Sequence, residues 1–318
     1  MKLVISLPTR GRPEQVIDTI ARSTPNLVLP NTVFMVQADE DDKDTIAALN
    51  GAKLDKRVTV NVKPREDTIA AKWNRALQEP ADLYLVAADD DPYVTPGYDA
   101  KLVEAAALFP DGIGMVYGHM ANASFSGVVA PTRGLTEKLG HIFPEVFPYW
   151  FVDHWTDDLA KLIGRLSFAD VQTDQSNPGK TQEMREPGWW ATWFDAAYLV
   201  RRKIAREIID GPDFKETAET KERLRRGAPL IEYRSRWINT NVRARNNELT
   251  DWSGLDNSDS RYLRIRDRAV AMIPRLLEGM EPLEAEQYRK NLLAPRLIEA
   301  AWEHDEGRLK PLMKQWLG

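Results

Sequence analysis

The sequence contains no cysteine. Disulfides, thiol nucleophiles and zinc–thiolate centres are therefore excluded. It holds no run of about 18 apolar residues, so no membrane-spanning helix is expected. No secretory leader is expected either. The apolar stretch from Met1 to Leu7 is short, and charge returns at Arg10 and Arg12. A cytoplasmic location is the resulting expectation. Positive charge is in deficit, with 43 Lys and Arg against 48 Asp and Glu, a formal net charge of −5. No nucleic-acid partner is expected, because phosphate backbones call for a basic surface. A local basic pocket for a small phosphate ligand stays compatible with this balance.

Several glycine and aspartate signatures are also missing. No Gly-x-Gly-x-x-Gly follows the first apolar run, which argues against a dinucleotide dehydrogenase. Gly179-Lys180-Thr181 ends like a phosphate-binding loop, but the earlier glycine position is Asp174. The run from Asp39 to Asp44 starts like a calcium loop, with Asp44 where the turn glycine belongs. Ser6-Leu7-Pro8-Thr9 lacks the aspartate nucleophile of Asp-x-Asp phosphatases. Asn122-Ala123-Ser124 is a formal glycan acceptor without a secretory context.

What is present is a large apolar reserve. At 43% hydrophobic, the 318 residues suffice for one large α/β domain with an appendage, or two modest domains. Strands are predicted at residues 2–7, 32–38, 58–62, 83–88 and 113–117. Helices are predicted at 14–22, 68–77 and 98–108, on apolar spacings such as Val16, Ile17, Ile20 and Ala21. This alternation implies a doubly wound, mainly parallel sheet whose almost wholly apolar strands are covered on both faces. Further on, a helix is expected at 153–165, a polar loop at 170–186 and a strand or insert followed by a helix at 189–209. An irregular stretch is expected at 239–260, then helices at 261–277, 282–302 and 307–317. A soft boundary near 250 separates residues 1–250, with halves 1–121 and 122–250, from a helical C-terminal extension, 251–318.

In such sheets ligands bind beyond the carboxyl ends of the strands. Three polar clusters fall there: Thr9 to Arg12, Asp39 to Asp44, and Asp89-Asp90-Asp91. Adjacent carboxylates repel one another, and a divalent cation removes that penalty. Hard oxygen donors suit Mg²⁺ or Mn²⁺, completed by water and substrate phosphate. The competing reading is a solvated turn, helped by Pro92, Pro96 and Gly97. A solvated turn pair competes likewise for Arg10 and Arg12.

Ile5-Ser-Leu-Pro-Thr-Arg-Gly-Arg-Pro-Glu14, Val36-Gln-Ala-Asp-Glu-Asp-Asp42 and Ala81-Asp-Leu-Tyr-Leu-Val-Ala-Ala-Asp-Asp-Asp91, in that order, resemble glycosyltransferase family 2, with the GT-A fold. The resemblance covers roughly residues 1–200. It implies that Pro8, Thr9 and Arg10 contact the nucleotide, with Arg12 beside them, and that Asp39 accepts from the base. It further implies that Asp89 and Asp90 face the ribose or donor, and that Asp91, with Asp89, binds Mn²⁺ or Mg²⁺ on the pyrophosphate. Glu40-Asp41-Asp42 departs from the small residues common there. Lys72-Trp73-Asn74 falls where the family carries a polar residue near the nucleotide, but ordinary surface charge on a helix is the reading preferred for it.

A second acidic stretch is Phe151 to Lys161. On a helix, Asp153 and Asp157 share a face, as do His154 and Asp158. An inverting transferase needs a carboxylate to take the acceptor hydroxyl proton. The family's acidic pair is similar to Asp157-Asp158-Leu159, with Asp157 favoured as base. Charge complementing a helix N-terminus is the competing reading. His154 is a candidate metal ligand, against the commoner role of a packed or capping histidine. Tyr149, Trp150, Phe151 and Trp155, and then Trp189, Trp190 and Trp193, could form platforms for a saccharide, with core packing favoured for any single ring.

The implied function is transfer of a sugar from a nucleotide-diphosphate sugar, a uridine one, to a saccharide or other hydroxyl acceptor. Two alternatives stay open. One is a sugar-nucleotide nucleotidyltransferase, although its Gly-rich first loop is missing. The other is a non-catalytic binding protein of the same fold.

Overall fold

The computed structural model describes residues 1–119, 128–174, 190, 193–194, 197–226 and 260–276. The predicted helices at 282–302 and 307–317, the irregular stretch 239–260 apart from Ser260, which opens a helix, Trp189 and most of the 170–186 loop lie outside them. The chain divides into two compact units. One comprises Met1–Glu145, Val152–Thr181 and Pro212–Lys215; the other comprises Val146–Phe151, Gln182–Gly211 and Glu216–Gly318. Among the described residues no helix is long and apolar enough to cross a membrane.

The first unit is built on a parallel sheet of β1 (Leu3–Pro8), β2 (Val33–Asp39), β3 (Val58–Lys63) and β4 (Leu83–Val86), in the order β3-β2-β1-β4. Every residue of β1 is buried, as its run, apolar but for Ser6, requires of a central strand. The winding runs outward from β1 to β3 and then reverses to place β4 on the other side of β1. Right-handed crossovers therefore put the connecting helices on opposite faces. Side chains alternate along each strand. Leu3, Ile5 and Leu7 face one way with Phe34, Val36, Leu83 and Leu85. They pack against Val16 and Ile20 of α1 (Pro13–Ser23), Leu49 of α2 (Lys43–Gly51), and Tyr98 and Leu102 of α4 (Tyr98–Ala106). On the opposite face lies α3 (Ile69–Asn74). Ser6 Oγ donates to the Trp73 carbonyl at 3.1 Å, and Trp73 Nε1 donates to the Ala87 carbonyl at 2.9 Å.

Local sequence sets the helix starts. Pro13 opens α1, where its missing N–H costs nothing. Asp42 caps α2 and Thr68 caps α3 by accepting from Thr45 N and Ala71 N. Helix α2 is absent from the sequence expectation, which read residues 39–44 only as an acidic loop.

The predicted fifth strand does not extend the parallel sheet directly. β5 (Met115–Tyr117) lies in a second, mixed sheet ordered β6-β5-β7, with β6 (Val129–Pro131) antiparallel and β7 (Leu166–Phe168) parallel to it. An antiparallel bridge between Leu83 and Thr132 joins the two sheets on the β4 side. β6 and β7, three residues each, carry too little pattern to be read from sequence. α5 (Arg133–Leu139) follows β6, and α6 (Val152–Leu162) precedes β7.

In the second unit Phe147, Trp190, Trp193 and Phe194 form an aromatic cluster, and Phe151 stacks on Phe194 at 5.2 Å. Helix α7 (Tyr198–Asp210) buries Arg201, whose guanidinium lies 3.8 Å from the Phe194 ring centroid. α8 (Ala218–Arg226) is tied to α7 by Arg225 and Asp210. α9 (Ser260–Leu276) matches the helix expected at 261–277 and buries Ile265 and Ala269.

Candidate functional site

The reversal of strand order places the switch point between β1 and β4, and the polar clusters read from sequence converge on that edge. Gly11, at φ +65°, turns the chain between β1 and α1. Its N–H donates to Asp42 Oδ2 at 2.7 Å. This turn sends its two arginines in different directions.

Arg10 reaches the β2 corner. It forms a bidentate pair with Asp41 at 2.6 and 2.9 Å and donates to Asp39 Oδ2 at 3.1 Å. The hydrogen bonds from Arg10 hold the Asp41 pKa down at about 2. Asp39 itself is buried. Its carboxylate also meets Lys72 Nζ at 2.8 Å and Arg75 at 3.6 Å. Lys72 donates further to the Thr9 carbonyl at 2.9 Å. Burial pushes the Lys72 pKa down, against the opposing pull of Asp39. Lys72 is thus not the surface charge expected from sequence. It is a buried cation that pins the β1–α1 loop to the end of β2. No local pattern marks it, because its partners lie 33 and 63 positions earlier in the chain.

Arg12 reaches the β4 corner. Its Nη1 donates to Asp89 Oδ1 at 3.0 Å and Asp90 Oδ2 at 2.9 Å. Thr9 Oγ1 donates to Asp89 Oδ2 at 2.9 Å, and Thr19 Oγ1 donates to the Asp89 carbonyl at 2.8 Å. Burial pushes the Asp89 pKa up, and Arg12 only partly counters it. Part of the repulsion that the sequence assigned to a metal is therefore relieved by an internal guanidinium. Beside this corner opens a cleft of about 180 Å³ lined by Glu14, Asp18, Arg22, Asp89, Asp90 and Asp174.

The fit of a divalent cation follows from these contacts. Both Asp89 oxygens already accept hydrogen bonds, and one Asp90 oxygen is taken by Arg12. Among the described residues no group of three or more potential ligands is assembled. Asp91, half-buried, is the carboxylate of the triplet that Arg12 does not hold. Mg²⁺ and Mn²⁺ bind readily through one or two protein carboxylates when a substrate diphosphate supplies further oxygens. A cation held here would therefore take most of its oxygens from the substrate and water rather than from this chain.

The second acidic stretch lies on α6 as predicted, and Asp157 and Asp158 are both buried. Asp157 Oδ2 stands 2.7 Å from Lys161 Nζ, one helical turn on. His154 Nδ1 lies 2.8 Å from Asp153 Oδ1, which favours orienting its ring. Of the predicted sugar platforms, Trp155, Trp190 and Trp193 are core residues. Tyr149 and Trp150 stay partly exposed, with centroids 5.4 Å apart.

Asn74, read from sequence only as part of an ordinary helix surface at Lys72-Trp73-Asn74, has a structural role that no local pattern marks. Its Oδ1 accepts from Ile142 N at 2.9 Å and Phe143 N at 3.0 Å, and its Nδ2 donates to the Phe143 carbonyl at 2.9 Å.

No family model matches the chain, and no curated protein does. Solved structures are similar to it. S. aureus TarS 1–349 in complex with UDP is 15% identical, with a TM-score of 0.49 over 96% of this chain and 92% of that one. A longer S. aureus TarS structure is 14% identical with a TM-score of 0.46; this chain covers 55% of it, about half its length. Glucosyl-3-phosphoglycerate synthase from Mycobacterium tuberculosis, in complex with Mg²⁺ and UDP, is 16% identical with a TM-score of 0.40, over 63% of this chain and 79% of that one.

Proposed function

We propose that this chain transfers a sugar from a nucleoside-diphosphate sugar, a uridine one, to the hydroxyl of a saccharide or similar acceptor, with inversion. The observation that carries the reading is the β1–β4 switch point, where Arg12 alone is shared by Asp89 and Asp90. Open α/β sheets bind ligands at that place. An under-neutralised carboxylate cluster beside arginines suits a cation-bridged diphosphate.

In this reading Pro8, Thr9, Arg10 and Arg12 line the donor, and Asp89 and Asp90 face the ribose or sugar. Asp39 is the candidate to accept from the base, although Lys72, Arg10 and Arg75 already hold its carboxylate. Asp91 and the donor diphosphate would hold Mn²⁺ or Mg²⁺, with Asp89 and His154 as the further candidates. When bound, the metal offsets charge on the departing diphosphate. Asp157 or Asp158 takes the acceptor proton, so that the oxygen attacks as an alkoxide-like nucleophile.

The test is twofold. UDP with Mn²⁺ should raise the melting temperature of the protein, and UDP-sugars should yield UDP in the presence of an acceptor. Asp157→Asn and Asp158→Asn should retain UDP binding, and at least one should lose turnover by about a hundredfold or more. Full turnover in both variants removes the proposed base. The Lys161 pairing of Asp157 favours one second reading, a nucleotide-binding protein without catalysis. Metal-dependent UDP binding with no turnover of any donor would establish it.

A further inference from the structure

We propose that Asn74 is a positioning residue that couples the donor edge to the helix carrying Asp157 and Asp158. The inference rests on the function proposed above. Asn74 ends α3, a helix of six residues. The two residues before it bind the donor edge. Lys72 holds Asp39 and the Thr9 carbonyl, and Trp73 holds the ends of β1 and β4 through Ser6 and Ala87. Asn74 faces the other way and engages both ends of its amide. Its oxygen accepts two backbone N–H groups, and its nitrogen donates to the Phe143 carbonyl and to Glu145 Oε1 at 3.0 Å. That is the full capacity of an asparagine side chain.

The segment so held is itself the seat of α6. Thr156 Oγ1, fully buried, donates to the Ile142 carbonyl at 3.1 Å. Ile142 and Phe143 are buried, so their N–H groups would go unsatisfied without Asn74. Phe143 also packs edge-on against Trp73, with centroids 5.2 Å apart. A continuous path therefore runs from Thr9 and Asp39 through α3 to residues 142–143, and through Thr156 to the neighbouring Asp157. Small displacements along it would move the acidic pair relative to the donor without touching the donor itself.

The test separates binding from turnover. Asn74→Ala should lower kcat by about ten- to a hundredfold. Donor KM and UDP affinity should stay within about twofold of the parent. Asn74→Asp keeps the acceptor oxygen for the two N–H groups and should recover part of the loss. Thr156→Val severs only the second link and should lower kcat less. The double variant should be no worse than Asn74→Ala, because the contacts act in series. Hydrogen exchange should quicken at 142–143 and in α6 of Asn74→Ala, and not in β1. Unchanged kcat, equal effects on KM and kcat, or additive losses would overturn the coupling while leaving the transferase reading intact. Unchanged exchange in α6 would overturn it even where the chain turns over no donor. A parent protein inactive with every donor would instead overturn the function on which the coupling rests.

Discussion

The two acidic corners of one sheet edge are neutralised to different degrees. At the β2 corner a single buried carboxylate, Asp39, meets three cations, Lys72, Arg10 and Arg75, at 2.8, 3.1 and 3.6 Å. At the β4 corner two carboxylates, Asp89 and Asp90, share one guanidinium. Arg10 holds Asp41 down at about 2, whereas burial pushes Asp89 up. A carboxylate matched by cations anchors structure. One that is buried and under-matched marks the place where further positive charge is accommodated.

The strongest way to break this comparison is to remove one charge from each corner. Asp39→Asn leaves Lys72 buried without its carboxylate. It should cost about 3–5 kcal/mol, the usual penalty for orphaning a buried ion pair. Arg12→Met removes charged hydrogen bonds from Asp89 and Asp90 and should cost less, about 1–3 kcal/mol. Urea denaturation checks both. Mn²⁺ should restore part of the stability of Arg12→Met and none of that of Asp39→Asn. Equal losses, or equal rescue by Mn²⁺, would erase the distinction between the corners.

A smaller effect should appear on acidification. Asp41 has a folded pKa below its unfolded value, so the stability it contributes is present above about pH 4 and lost as pH falls toward 2. Asp89 has a folded pKa above its unfolded value. It gains stability as pH falls through that raised value and disfavours the fold above it. Asp41→Asn should therefore flatten the acid loss of stability, and Asp89→Asn should steepen it. Denaturation midpoints between pH 7 and pH 3 read the two slopes. Slopes of the same sign would show that Arg12 governs Asp89 more than burial does.

Much of this edge is legible in the sequence because it depends on local pattern. Apolar runs place β1, β2 and β4, and each run ends in residues that must then lie beyond a carboxyl end. Thr9, Arg10, Arg12, Asp39, Asp89 and Asp90 are found together for that reason. What stays hidden is the pairing. Arg12 and Asp89 are 77 positions apart, and nothing in either neighbourhood says that the guanidinium will relieve part of the carboxylate repulsion. Lys72 lies off the apolar stripe of Ala70, Trp73 and Ala76, which is the usual sign of a solvated lysine, yet tertiary packing buries it over Asp39. Helix α2 did carry a signal, the Asp42 cap followed by buried Thr45 and Leu49. The acidic run before it drew the reading toward a loop.

The finest separation of the corners runs through Gly11. Its N–H is held by Asp42 at the β2 corner, and the next residue, Arg12, reaches the β4 corner. A Cβ added here would meet nothing within 4 Å, so the cost of Gly11→Ala is conformational alone. At φ +65° that cost is about 1 kcal/mol, and Asn, which tolerates the left-handed region, should lose less than Ala. Urea titration reads the stability, and calorimetry with UDP reads the loop. If Gly11→Ala cost about 1 kcal/mol and left UDP binding intact, the turn would be a passive hinge between two independent corners. If UDP binding fell much further than stability did, the corners would be coupled through the backbone of residues 10–12. The difference in their neutralisation would then belong to one device rather than two.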